Sequence, residues 1–167
     1  MRLLPLDLLV GLKLSAMSEE PTYAQLGKAL LLSPSQAYNS VKRLQRAKLL
    51  RANSLDVDKR ALKEFIIHGA KYAFPAERGA LKRGVPTAAS AKPLSEQIRN
   101  SGVPLVWADE QGSERGESIE PLYRSIPKIV KDDPELYQRL ALLDALRVGR
   151  ARERSLATKK WEELLSA

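Results

Sequence analysis

Between Ser33 and Arg51 the sequence carries Lys42, Arg43, Arg46, Lys48 and Arg51 and not one aspartate or glutamate. Wound as a helix at about 100° per residue, this stretch puts Ala37, Val41 and Leu44 on one side. The opposite side is formed by Gln36, Asn39, Arg43 and Arg46, flanked by Ser35, Ser40 and Lys42. These side chains share one chemistry. An asparagine or glutamine amide can bond an adenine edge at two points, an arginine fork does the same at guanine, and serines and lysines hold phosphate oxygens. A bidentate base contact is worth roughly 1–3 kcal/mol of discrimination between bases. Any amphipathic surface helix has a polar outer face, but a generic one mixes charges of both signs, so the run of cations sets this one apart. The residues expected to meet a duplex here are Ser33, Ser35, Gln36, Asn39, Ser40, Lys42, Arg43 and Arg46.

The elements that must position this face announce themselves by their caps. Ser33-Pro34-Ser35-Gln36 is a capping box, with proline where its missing N–H is of no consequence. Thr22-Tyr23-Ala24-Gln25 is another, opening a helix that runs to about residue 31. The helix from Ser33 continues to about residue 49, and the pair reads as a helix-turn-helix. Ahead of it, residues 5–16 place Leu8, Leu9, Leu12 and Ala16 close to one face of a first helix, with Pro5 in its first turn.

With those residues in view, the run from Tyr23 to Leu44 resembles the winged helix-turn-helix transcriptional regulators of bacteria, the MarR-like ones included. Ala24, Leu26, Leu30, Leu32, Ser33 and Leu44 fall where that pattern has small, apolar and cap residues. The likeness covers residues 4–50. It implies a dimer that binds double-stranded DNA at a two-fold symmetric operator near a promoter. Straight after Leu50 the sequence departs from the pattern, since 51–57 is short and polar where a strand–turn–strand wing belongs. A rudimentary wing at 52–57 is one option. The preferred one is a hairpin within 72–87, whose Gly-punctuated tip carries Arg78, Lys82 and Arg83 to meet phosphates or a minor groove. The same tip also fits a basic solvent loop packed through Phe74 and Leu81.

Length and composition frame the rest. The chain has 167 residues, a net charge of +8 and few aromatics, which suits a mainly helical fold built on leucine and alanine. The expected fold class is mainly α with a small β component, a winged helix-turn-helix domain at 1–90 followed by a C-terminal helical extension at 91–167. A further helix is predicted over 57–70, a linker over 88–93, a short helix over 94–100, a strand over 103–107 and an exposed glycine-rich loop over 109–120. Asp133-Pro134 caps a long last helix with a break near Gly149. Its Arg147, Arg150 and Arg154 read better as local partners of Asp144 and Glu153 than as a second phosphate stripe, with the apolar side serving dimerisation.

No cysteine is present, and His68 is the one histidine, which excludes disulfides, thiolate sites and multi-histidine metal sites. His68 itself fits a satisfied structural role, and Trp107 and Trp161 fit packing anchors. No catalytic constellation, metal site or cofactor motif emerges, and an enzyme is not expected. The short N-terminal apolar run is broken by Pro5, Asp7 and Lys13, and no stretch is long enough to span a bilayer, so a cytoplasmic location is expected. The function expected is a sequence-specific DNA-binding transcriptional regulator, a dimeric repressor. The alternative is an antitoxin-like module that binds a protein partner through the part after residue 88, and a weaker one is a non-specific nucleic-acid binder.

Overall fold

The computed structural model describes residues 1–99 and 102–166. Helix α1 (Pro5–Ala16) opens on proline, and Asp7 closes its first turn by accepting from the Leu4 amide at 2.8 Å. Helices α2 (Tyr23–Leu30) and α3 (Pro34–Arg46) begin with the two capping boxes. Thr22 Oγ1 accepts from the Gln25 amide at 3.1 Å and Gln25 Oε1 from the Thr22 amide at 2.9 Å; Ser33 and Gln36 repeat both bonds at the same lengths. Between the helices Leu31 takes a left-handed conformation, φ 56°. The Leu32 amide then reaches the Gly27 carbonyl at 2.7 Å, and a Cβ on Gly27 would lie 2.6 Å from the Leu32 carbonyl oxygen. The turn closes this tightly because residue 27 has no side chain.

Helix α3 ends three residues before the expected limit, as the backbone turns left-handed at Lys48. The chain then makes a minimal antiparallel turn: the Asp58 amide donates to the Leu49 carbonyl at 3.0 Å, the Arg51 amide to the Asp56 carbonyl at 2.9 Å, and Leu50 faces Val57 in a single bridge. Asp58 caps α4 (Lys59–Glu64), which widens into a π turn (Phe65–Gly69) and ends in α5 (Ala70–Ala73). The helix expected over 57–70 is therefore present, interrupted by a wide turn and slightly longer.

Strands β1 (Arg78–Pro86), β2 (Leu105–Ala108) and β3 (Glu114–Ile119) make one small closed sheet. β1 runs antiparallel to both others, with Val85 opposite Trp107 and Arg83 opposite Arg115, while β2 and β3 are parallel. Two expectations fail here. Segment 72–87 is not a hairpin, because 78–86 is one unbroken strand, and segment 109–120 is not a free loop, because it supplies β3. Gly84 and Gly116 are not turn markers but sites of close approach, whereas Gly112 closes a turn onto the Asp109 carbonyl at 2.9 Å. A Cβ at Gly84 would fall 2.0 Å from the Trp107 carbonyl oxygen, and one at Gly116 would fall 2.2 Å from that of Pro104.

The expected linker at 88–93 is also corrected. Ala88, Ala89 and Ala91 are buried, the first two in a 3₁₀ turn (Ala88–Ser90) that packs against the long helix. Of the short helix expected over 94–100, a single 3₁₀ turn (Leu94–Glu96) forms, and Asn100 lies outside the described residues. After α6 (Ile126–Ile129), Asp133 caps α7 (Pro134–Val148) through the Leu136 amide at 3.1 Å, and the break at Gly149 leads into α8 (Ala151–Leu164). Leu136, Leu140, Leu142, Leu143 and Leu146 bury α7 on nearly every side, as a central helix requires. One continuous cluster joins Leu9, Leu12 and Leu44 to Trp107, Leu143 and Trp161. The division expected at 90/91 falls between β1 and the two strands it pairs with. The architecture is mainly α with a small three-stranded sheet. Among the described residues no helix is long and apolar enough to cross a membrane.

Candidate nucleic-acid interface

Helix α3 is held by its apolar side: Ala37, Val41 and Leu44 are fully buried against α1 and α2. The side it turns outward carries Ser35, Asn39, Lys42 and Arg46, spaced four, three and four residues apart, which is one stripe of a helix. Ser35, Asn39 and Arg46 are exposed and Lys42 is half-buried. Tyr38 borders the stripe, its ring edge-on to Tyr23 at 5.3 Å and under the Lys42 ammonium at 5.2 Å. That cation–π contact and the ring pair keep the lysine stem against the helix. Asn39 and Arg46 have no hydrogen-bond or ionic partner among the described residues.

No protein-family model matches the sequence, and no curated protein or solved structure matches it. The likeness to winged helix-turn-helix regulators therefore rests on residues 4–50 of this chain alone.

Two residues expected in the groove are engaged inside the protein. Ser40 is buried, and its hydroxyl donates to Asp7 Oδ1 at 2.6 Å. Arg43 donates through Nε to Asp7 Oδ2 at 2.8 Å and Oδ1 at 3.1 Å. The outer face is thus rotated away from Gln36, Ser40 and Arg43 and toward Tyr38 and Lys42. The cause is α1, which crosses this side of α3 and brings in a fully buried carboxylate. Helical periodicity within 33–49 contains no term for that neighbour. A signal did exist: Asp7 is the one acid in the apolar run 3–12, and an acid that must face a core needs a donor set. Ser33 Oγ and Gln36 Oε1 are engaged in the cap, so each retains only its hydroxyl or amide hydrogens for a ligand.

Arg78, Lys82 and Arg83 lie along β1 and not at a hairpin tip. Arg78 Nη2 donates to the Val148 carbonyl at 3.3 Å, with Nη1 at 3.7 Å from Glu117. Arg83 Nη1 donates to the Gly112 carbonyl at 3.3 Å, and Lys82 has no partner among the described residues. Reading the sequence did not find Arg115, which the register sets opposite Arg83. β1 rests on β2 and β3, whereas α3 rests on α1 and α2, so the two cationic sets are carried by separate elements.

Of the arginine–acid pairs expected in the last helices, only Arg147 with Asp144 forms among the described residues, and it forms in the core. Asp144 is buried and accepts from Thr87 Oγ1 at 2.8 Å, Trp107 Nε1 at 2.7 Å and Arg147 Nη1 at 2.8 Å. Burial pushes the Asp144 carboxyl above its ordinary value, against the pull of Arg147 and of the three hydrogen bonds. Glu153 accepts from the Arg150 amide at 3.2 Å, and Arg154 donates to the Gly149 carbonyl at 2.9 Å. Tyr137 donates to the Pro86 carbonyl at 2.5 Å, and burial together with the Glu114 charge pushes its phenol up to about 12. Trp107 and Trp161 are both core residues. His68 is exposed within the π turn and its imidazole has no hydrogen-bond partner among the described residues, so the satisfied structural role expected for it is not seen. Among the described residues no group of three or more His, Asp or Glu is arranged to hold a metal ion.

Proposed function

We propose that this protein is a sequence-specific DNA-binding transcriptional regulator that lays α3 in the major groove. The observation carrying this reading is the outward stripe Ser35, Asn39, Lys42 and Arg46, on a capped helix with no acid from Ser33 through Arg51. Asn39 suits an adenine edge, Arg46 a guanine edge, and Ser35 and Lys42 the phosphates on either side. Arg43, tied to Asp7 through Nε, directs its remaining donors to a phosphate at the α1 edge of the same surface. The minimal turn closed by Leu50 and Val57 stands in the chain where a wing follows a recognition helix. Lys48 precedes it and Arg51 lies within it, paired with Asp56 at 2.9 Å, and we assign any wing to this turn and not to 72–87. In this reading two copies present their α3 helices about 34 Å apart to a two-fold operator and act as a repressor.

Affinity selection from random duplexes tests the assignment, run with the wild type and with Asn39→Ala and Arg46→Ala. The wild type is expected to select a two-fold symmetric motif. Each variant should relax one position of it, at a cost of about 1–3 kcal/mol. Both variants recovering the same motif with the same strength would show that the stripe does not read bases. Arg43→Ala is unsuitable for this purpose, because it also strips the buried Asp7 of its partner.

A further inference from the structure

We propose that the ribbon formed by β1 and β3 is a second nucleic-acid contact, in which Arg83 and Arg115 clamp the phosphate backbone. This rests on the DNA-binding reading above but uses none of the residues of α3.

In the antiparallel register Arg83 and Arg115 are direct partners, so both side chains leave the same face of the ribbon as nearest cross-strand neighbours. Like charges in that relation oppose pairing, and an anion held between them would relieve the repulsion. The protein supplies little. Glu114 adjoins Arg115 in sequence and therefore points to the other face of the strand. Glu117 shares the arginine face but sits opposite Leu81, with its carboxylate 3.7 Å from Arg78. Arg115 has no hydrogen-bond or ionic partner among the described residues. Arg83 is steadied by the Gly112 carbonyl at 3.3 Å, a bond made by Nη1 that leaves Nη2 and Nε without a partner among the described residues.

The ribbon is also unusually open. Every residue from Arg78 to Arg83 is exposed, so neither face of this half of β1 is covered, and Lys82 adds a cation on the second face. A guanidinium pair across two strands offers several planar donors to phosphate oxygens. The net charge of +8 favours a polyanion as the ligand. Nucleic acid is preferred to an acidic protein because the stripe on α3 has the chemistry of the same ligand.

The test measures binding of the full chain to a random-sequence duplex across a series of salt concentrations, and sequence preference by affinity selection from random duplexes. The proteins are the wild type, the double variant Arg83→Ala with Arg115→Ala, Arg115→Glu, and Asn39→Ala. The double variant is expected to lower the slope of log K against log salt by about 1.8, since each lost phosphate contact removes about 0.9. Its sequence preference should be unchanged, whereas Asn39→Ala should alter preference and leave the slope alone. Arg115→Glu gives Arg83 a cross-strand partner, so it should raise the melting temperature while weakening duplex binding. An unaltered slope in a folded double variant overturns the ribbon assignment and leaves the α3 reading intact. A reduced slope in a protein without sequence preference does the reverse. Binding to polyglutamate that exceeds duplex binding and is lost in the double variant would assign the clamp to an acidic protein and overturn the proposal.

Discussion

Asp7 and Asp144 are both buried aspartates that bind an arginine and a hydroxyl, one in each half of the molecule, and they leave their arginines in opposite conditions. Asp7 accepts from Ser40 at 2.6 Å and Arg43 at 2.8 Å, and Asp144 from Thr87 at 2.8 Å and Arg147 at 2.8 Å. At Asp144 the third donor is Trp107, and the arginine is nearly all committed: its side chain is 5 % exposed, and Nε goes to the Phe74 carbonyl at 2.8 Å. At Asp7 the third donor is the Leu4 amide at the start of its own helix, and Arg43 is 24 % exposed. Arg43 gives the carboxylate only its Nε, and its two Nη groups have no partner among the described residues. A guanidinium has five donors in a fixed fork. When packing takes up nearly all of them the residue fastens elements together, as Arg147 fastens α7 to the segment before β1. When the outer edge is left over, the carboxylate behind it still fixes the orientation of the fork.

The largest effect should come from removing the carboxylates. Asp144→Ala leaves Arg147 charged, buried and without its partner, and should cost about 3–5 kcal/mol. Asp7→Ala should cost less, about 1–3 kcal/mol, because Arg43 can turn to water. Urea denaturation of both variants measures the gap, and equal losses would break the comparison.

Arg43→Met and Arg147→Met sharpen it. Arg147→Met should lower stability without changing duplex affinity per folded molecule. Arg43→Met also strips Asp7 of its partner and should lower stability, but its folded fraction should show a salt slope of duplex binding reduced by about one phosphate contact. A full slope in folded Arg43→Met would make Arg43 as purely structural as Arg147.

A smaller effect is expected from pH. Burial raises the folded-state value for Asp144, so the proton-linked part of its contribution to stability is fully present at low pH and is lost as pH rises through that raised value, leaving the pairing with Arg147. The stability of the wild type relative to Asp144→Asn should therefore improve on acidification toward the ordinary value of 3.8. A difference that is flat with pH would contradict the assigned burial effect.

The smallest change concerns the turn that aims α3. Leu31 is exposed and left-handed at φ 56°, a conformation that disfavours a side chain. Leu31→Gly should stabilise the protein by up to about 1 kcal/mol. Gly27→Ala, facing the Leu32 carbonyl oxygen at 2.6 Å, should destabilise it, and thermal melts of the two variants should move in opposite directions.

Legibility in the sequence tracks the distance over which each interaction acts. The caps of α2, α3 and α7 join residues three apart, Thr22 to Gln25, Ser33 to Gln36 and Asp133 to Leu136, so their donors and acceptors stand side by side along the chain. The break at Gly149 and the apolar strand around Val106 are legible for the same reason. Ser40 and Asp7 lie 33 residues apart, and Thr87 and Asp144 lie 57 apart. Whether those groups meet depends on how helices close around a core, which no local pattern encodes. The glycines at 84 and 116 resemble turn residues because local chemistry gives glycine that meaning, whereas here they let one strand lie against another. The sequence alone determined that a cationic helix begins at Ser33. The packing of α1 decided which of its side chains face out, because a buried carboxylate must be satisfied before any surface is left to meet a ligand.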